Sequence, residues 1–204
     1  MPNDLLYVHG YEGSVNGTKG RWLSQHFSSA GPELPDARSR HPLGSKAPIG
    51  EVLEGIKRAI APSTRVVKDY IAQNPPKVVV ASSFGAAVWL NLVREEGFRI
   101  PTVLLAPACI FLRVGNAFPH DMDTIIIHGE QDTLIPIEQA KELHSNSGAR
   151  SLFWPIADEH RLASLTTVRP ELKYAVQKLL WSQGSDEDKV RANSLLPPFG
   201  AMTQ

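Results

Sequence analysis

The chain has 204 residues, 42% of them hydrophobic, with 21 basic and 21 acidic side chains and a formal net charge of zero. That length supports one sizeable core, and the even charge leaves no basic excess with which to bind nucleic acid or an anionic membrane surface. A single cysteine, Cys109, excludes an internal disulfide; with no charged-then-apolar leader after Met1 and no apolar run of membrane-spanning length, this predicts a cytoplasmic protein.

Strands and helices alternate along the chain in the manner that builds a parallel sheet covered on both faces. The first strand runs from about Leu5 to His9 and enters a Gly-rich loop, Gly10 to Gly20. That loop lacks the G-K-[ST] ending of a phosphate-binding loop and reads as a flexible rim. Lys19 to Ser29 can form a helix burying Trp22, Leu23 and Phe27, and the polar segment Asp36 to Arg40 is an edge-strand candidate. Glu51 to Ile60 carries Val52, Leu53, Ile56 and Ile60 on one helical face; Pro62 interrupts, and Arg65 to Gln73 resumes with Val66, Val67, Tyr70 and Ile71. A strand at Val78 to Ala81, a largely apolar helix from Phe84 to Glu95, and strands at Thr102–Leu105 and Thr124–His128 follow. Pro136 opens a helix at about Ile137 to His144, Ser151 to Ile156 reads as the last strand, and Leu162 to Trp181 as a helix that Pro170 breaks or restarts. Beyond it, Ser182 to Lys189 is polar and linker-like. The apolar stretch Ser194 to Gly200 leaves two readings open, a frayed tail or a segment that docks in a groove of its own or a neighbouring subunit.

Chemistry concentrates at Val78-Val79-Val80-Ala81-Ser82-Ser83-Phe84-Gly85-Ala86-Ala87. A β-branched run stops at small residues and a helix-compatible segment follows at once, which is a strand, a sharp turn and a helix with Ser83 at the apex. Such a turn strains the apical residue and lifts its side chain off the sheet, so its neighbours must be small, as Ala81 and Gly85 are. Ser83 is therefore a candidate nucleophile. Ser82 fails the same test because Phe84 stands where a glycine is needed. The usual form of this elbow is G-x-S-x-G, and Ala81 replaces the first glycine.

Three further segments fall into line with the elbow. Thr124-Ile125-Ile126-Ile127-His128-Gly129-Glu130-Gln131-Asp132 is an apolar strand ending in a loop that carries Asp132. Ala157-Asp158-Glu159-His160-Arg161-Leu162 is a polar loop after the last strand and offers His160. Leu5-Leu6-Tyr7-Val8-His9-Gly10-Tyr11 is a strand running into a His-Gly turn. In this order and spacing the chain resembles an α/β-hydrolase from its first residues to about residue 182. The resemblance implies a three-layer α/β/α sandwich whose mostly parallel sheet has about six strands, starting at what is usually the third strand of the superfamily. It implies a domain over residues 1–182 without a substantial lid, followed by a linker and tail over 183–204. It also implies a serine hydrolase, with Ser83 as nucleophile, His160 as general base, Asp132 as the orienting acid, and the backbone N–H groups of Tyr11 and Phe84 as the oxyanion hole.

The residue types suit those roles, since a serine hydroxyl needs a base within hydrogen-bond reach and histidine titrates in the useful range. Among competing residues, His9 and His128 read as hydrogen-bonded structural histidines, Glu130 lies two residues short of the matching acid position, and Asp158 and Glu159 point away from the His160 ring. The seven histidines are scattered with no H-E-x-x-H, so no metal is expected, and the chemistry asks for no cofactor. Ala108 to Asp123 is too short for more than a loop or one short helix, which leaves an open mouth with Tyr11, Ile110, Phe111 and Leu112 as its apolar lining. Cys109 reads as a small packed residue near the edge of the site, with a reactive thiol as the other option. The expected substrate is a small-molecule ester with a short acyl group. A thioesterase, acyltransferase or amidase would use the same triad, and a binding module with an idle triad is the reading from a different class.

Overall fold

The computed structural model describes residues 4–35 and 48–194. Six strands form one sheet: Leu5–Val8 (β1), Ser29–Ala30 (β2), Val78–Ser82 (β3), Thr102–Leu105 (β4), Thr124–Gly129 (β5) and Ser151–Ile156 (β6), in the order β2-β1-β3-β4-β5-β6. Every pairing is parallel, with Val8 opposite Ala81, Ser82 opposite Leu105 and Gly129 opposite Ile156 near the carboxyl ends.

The central strands β1, β3, β4 and β5 read as largely apolar runs because both of their faces are buried. Alternate residues supply two cores. Leu6, Val8, Val79, Ala81, Leu104 and Ile126 face one layer of helices, Ile49–Arg58 (α2), Ile60–Gln73 (α3), Phe84–Glu96 (α4) and Ile137–Asn146 (α5). Leu5, Tyr7, Val78, Val80, Val103, Leu105, Ile125 and Ile127 face the other, where Thr18–His26 (α1) and Glu171–Ser182 (α6) pack. Full burial of each such aliphatic side chain contributes about 1.5–3 kcal/mol, so the central strands are where the sheet is most firmly held.

Several elements differ from the sequence expectation. The first helix stops at His26 and the chain turns extended at Phe27, so that Ser29 joins the two-residue strand β2 beside Leu5. The edge strand expected at Asp36 to Arg40 lies outside the described residues. Pro62 does not interrupt a helix. The break falls at Ala59, and Pro62 occupies the first turn of α3, where its missing N–H has no intrahelical acceptor to lose. Pro170 ends the preceding segment and caps α6, so the expected helix from Leu162 resolves into a short 3₁₀ turn at Ala163–Thr166 and α6.

Residues 183–194 are corrected from linker to structure, for a helix (α7) spans Asp186–Ser194. Ser185 and Asp188 form a reciprocal cap, in which the Asp188 N–H donates to Ser185 Oγ at 3.2 Å and the Ser185 N–H to Asp188 Oδ2 at 3.1 Å. Lys178 Nζ, from α6, donates to the carbonyl of Ala192 at 2.6 Å and ties the two helices together. The docking segment expected at Ser194 to Gly200 lies almost wholly outside the described residues.

Candidate active site

In this sheet the connection after β1 leads to one side and the connection into β3 returns to the other, so a crevice opens where β1 and β3 end. Ser83 stands at that point. β3 ends at Ser82 and α4 begins at Phe84, which leaves one residue for the reversal and places Ser83 at φ 51°, ψ −114°. A positive φ on a non-glycine residue is strained and must be held by its surroundings. The Ser83 N–H donates to Leu105 O at 2.8 Å, while Ser83 O accepts from the N–H of Ala86 at 3.0 Å and of Ala108 at 3.2 Å.

The small neighbours have a measurable reason. A Cβ on Gly85 would lie 2.3 Å from Val8 O and 2.5 Å from His9 O, so only glycine lets α4 abut the end of β1. A Cβ on Gly10 would lie 3.6 Å from Ser83 Cβ, so the loop that carries Tyr11 runs directly beside the serine. Phe84 is the first residue of α4, where backbone N–H groups have no partner in the helix.

Ser83 Oγ lies 3.0 Å from His160 Nε2, and His160 Nδ1 lies 2.7 Å from Asp132 Oδ2. A carboxylate only accepts, so Nδ1 carries the ring proton and Nε2 presents a lone pair to the serine hydroxyl. The Asp132 side chain is fully buried and His160 is 20% exposed. Asp132 Oδ1 accepts the N–H groups of Leu134 at 2.9 Å and Ile135 at 2.8 Å, which fixes the carboxylate plane. Three residues far apart in sequence thus form one hydrogen-bonded chain in which His160 can take the proton of an attacking hydroxyl while Asp132 orients the ring.

The acid loop and the histidine loop are sewn to each other. Glu130 N–H donates to Ile156 O at 2.8 Å and Gln131 N–H to Asp158 O at 3.0 Å. A Cβ on Gly129 would lie 2.3 Å from Asp158 O, so the close approach needs glycine here as well. Asp158 points away from the His160 ring and accepts from Ser164 N–H at 2.9 Å, Ser164 Oγ at 2.5 Å and Glu159 N–H at 2.7 Å. Burial works against its charge, but these hydrogen bonds prevail and hold the Asp158 carboxyl below the usual carboxylate range. Leu162, fully buried at φ 46°, pins the far end of the histidine loop, and Lys19 Nζ donates to the carbonyl of Arg161.

The apolar lining divides. Ile110 and Phe111 are half-buried. Leu112 is buried in the core, which corrects its expected place on the pocket wall, and the Tyr11 ring is buried edge-on against Phe84 with centroids 5.9 Å apart. Ala108 to Asp123 contains no helix and folds down, with Cys109, Leu112, Phe118 and Met122 in the core. Burial pushes the Cys109 thiol up, which removes it as a reactive group.

His9 and His128 are both buried and hydrogen-bonded, with His9 Nε2 accepting the Leu34 N–H at 3.0 Å and His128 Nε2 lying 3.0 Å from Ile135 O. Glu130 is exposed. Among the described residues no group of three or more His, Cys, Asp or Glu is arranged to hold a metal ion, and no helix is long and apolar enough to cross a membrane. A cavity of about 330 Å³ lies at the opposite end of the sheet, between the amino ends of β5 and β6 and α7, and takes no part in this arrangement.

No protein-family model matches the chain, and no curated protein matches it by sequence. Solved structures do. A candidate hydrolase from Agrobacterium vitis S4 is similar at a TM-score of 0.58 and 15% identity, over 78% of this chain and 81% of its own. The esterase domain of a Rhodothermus marinus protein is similar at 0.51 and 16%, over 79% and 78%. An alpha-beta serine hydrolase homologue from Coxiella burnetii is similar at 0.51 and 13%, over 90% and 87%. The chain has the α/β-hydrolase fold, as the order of its motifs implies.

Proposed function

We propose that this chain, built on the α/β-hydrolase fold, is a serine hydrolase that cleaves carboxylic esters of small or short-chain acyl groups through an acyl-enzyme. One observation carries the proposal, the unbroken path from Ser83 Oγ through His160 to the buried Asp132 on a strained strand-to-helix turn. In the acylation step Ser83 Oγ bonds to the ester carbonyl carbon while its proton passes to His160 Nε2. Asp132 stabilises the imidazolium so formed. The carbonyl oxygen becomes an oxyanion that accepts from the N–H groups of Tyr11 and Phe84, each such donor being worth about 3–4 kcal/mol in enzymes where one has been removed. Collapse breaks the bond to the alkoxy group, which leaves with the proton from His160. Water then attacks the acyl-Ser83 carbonyl, with His160 taking its proton, and the acid departs as Ser83 regains its hydrogen.

Residues 108–123 contain no helix and fold into the core, which supports a short acyl group over a long one. Thioesters and amides would meet the same triad, with a thiol or amine as the departing group. An active-site-directed organophosphonate tests the proposal. It is expected to label the wild-type protein and the Ser82→Ala variant and to leave Ser83→Ala unlabelled, while p-nitrophenyl acetate hydrolysis follows the same pattern. Labelling that persists in a folded Ser83→Ala variant refutes the assignment.

A further inference from the structure

His128 lies near the carboxyl end of β5, four residues before Asp132, and its ring is completely buried. Its Nε2 sits 3.0 Å from the carbonyl oxygen of Ile135. A carbonyl only accepts, so Nε2 bears the proton and the neutral ring leaves Nδ1 bare; Nδ1 has no hydrogen-bond partner among the described residues. The same protonated nitrogen is 3.2 Å from Asp132 Oδ2, the oxygen that meets His160 Nδ1 at 2.7 Å.

The other oxygen is already taken, since Oδ1 holds the N–H groups of Leu134 and Ile135. His128 therefore brings its one positive edge to the oxygen that orients His160. It also grips the carbonyl of Ile135, whose own N–H is on the carboxylate, so the ring links the end of β5 to the far side of the acid loop. An aliphatic side chain could fill this space without leaving a buried nitrogen unpaired, and burying an imidazole with an orphan acceptor is unfavourable. What an aliphatic group cannot do is hold the Ile135 carbonyl and set a polar edge beside the carboxylate.

We infer that His128 is a positioning residue: its Nε2–H, held by the Ile135 carbonyl, keeps the 129–135 loop closed and sets a polar ring edge 3.2 Å from Asp132 Oδ2, which keeps that oxygen in line with His160 Nδ1, without touching substrate. The inference rests on the reading of Ser83, His160 and Asp132 as a catalytic triad. Burial depresses the ring's proton affinity, against the pull of the Ile135 carbonyl, Asp132 and Glu138 and with the help of His160, so the neutral ring is the form that faces Asp132 at neutral pH.

Three measurements on the full chain test it. Nitrogen-15 NMR of ring-labelled wild-type protein at neutral pH is expected to show His128 as the neutral Nε2–H tautomer. An Nδ1–H tautomer overturns the inference, whatever the protein's activity. In His128→Phe, which keeps the ring but loses the donor, kcat is expected to fall by about 10- to 100-fold, with KM changed less than about twofold, the pattern of a misplaced group that does not contact substrate. In His128→Gln, whose amide nitrogen can reach the Nε2 position, most of that loss is expected to be restored.

A folded His128→Phe protein with wild-type kcat overturns the inference, as does equal loss in the Phe and Gln variants. Should the Phe variant not fold, the tautomer and the Gln variant still decide. Organophosphonate labelling of Ser83 keeps the two questions apart. Labelled Ser83 beside an unaffected kcat in His128→Phe sinks this inference alone, whereas an unlabelled wild-type Ser83 sinks the hydrolase reading and leaves the tautomer measurement intact.

Discussion

Replacing Gly85 by alanine sets two local effects against each other. Gly85 lies in the first turn of α4, and a glycine in a helix is about 1 kcal/mol less favourable than alanine, so propensity alone makes the variant more stable. The surroundings argue the reverse. The new methyl would sit 2.3 Å from Val8 O and 2.5 Å from His9 O, and both are backbone atoms of β1 and its exit, with no rotamer to move away. Opening the shorter contact to 3.0 Å or more means displacing α4 or the end of β1 by roughly 0.7 Å. Overpacking of this kind costs typically about 1–3 kcal/mol, which leaves a net destabilisation of about 0–2 kcal/mol and a fall in Tm of at most several degrees for a chain of this size. Activity should suffer more. The shifted backbone is the one that runs beside Ser83 through Gly10 and Tyr11, and misplacement near 1 Å costs on the order of 100-fold in rate. We therefore expect kcat for p-nitrophenyl acetate to fall by about 10- to 100-fold in a protein that still melts cooperatively within about 8 °C of wild type. Steady-state kinetics and calorimetry on the same preparation check this. A variant with a raised Tm and unchanged kcat would refute the close approach and leave helix propensity in command.

Four further outcomes follow from the same geometry. His160→Ala should lose nearly all activity while still folding, and a folded variant that keeps wild-type kcat/KM would remove His160 from the role of base. Because hydrogen bonds hold Asp158 below the carboxylate range, its stabilisation is present above the unfolded value of about 3.9 and is lost as pH falls through the lower folded value. Acid unfolding of Asp158→Ala should accordingly be less steep below about pH 4, and a profile identical to wild type would count against the cap. Cys109 should resist a maleimide in the native protein and react fully once unfolded; native labelling would contradict its burial. Across a series of esters, kcat/KM should peak at acyl groups of about two to six carbons, since each further methylene left in water forgoes about 0.8 kcal/mol. A steady rise to long chains would mean that another segment closes the site.

Much of the fold could be read locally because its signals are short. Leu5–Val8, Val78–Ala81 and Thr124–Ile127 are unbroken apolar runs, which a parallel strand buried on both faces demands, and the Ser83 elbow declares itself through the small residues on either side. Where the reading failed, the signal was weak or outweighed. Two residues suffice for β2, too few for any pattern, and Pro62 is silent about whether it breaks a helix or begins one. The segment from Ser182 to Lys189 reads as linker because it is polar throughout, and the helix that starts at the Ser185 and Asp188 cap buries little beyond Ala192.

By itself, then, the sequence determined the alternation of strand and helix, the strained turn at Ser83, and the chain order in which a serine, an aspartate and a histidine follow three separate strands. These are properties of stretches a few residues long, set by side-chain shape and backbone sterics. Only the tertiary structure decided that Ser83 and His160, 77 positions apart, lie 3.0 Å from each other, that Leu112 and the Tyr11 ring belong to the core, and that His128 rests against Asp132. Those distances depend on which strands pair and how closely their loops approach, as Gly85 meets β1 and Gly129 meets the Asp158 carbonyl. Pairing between parallel strands is made across long crossovers, where no local preference of the chain can express it.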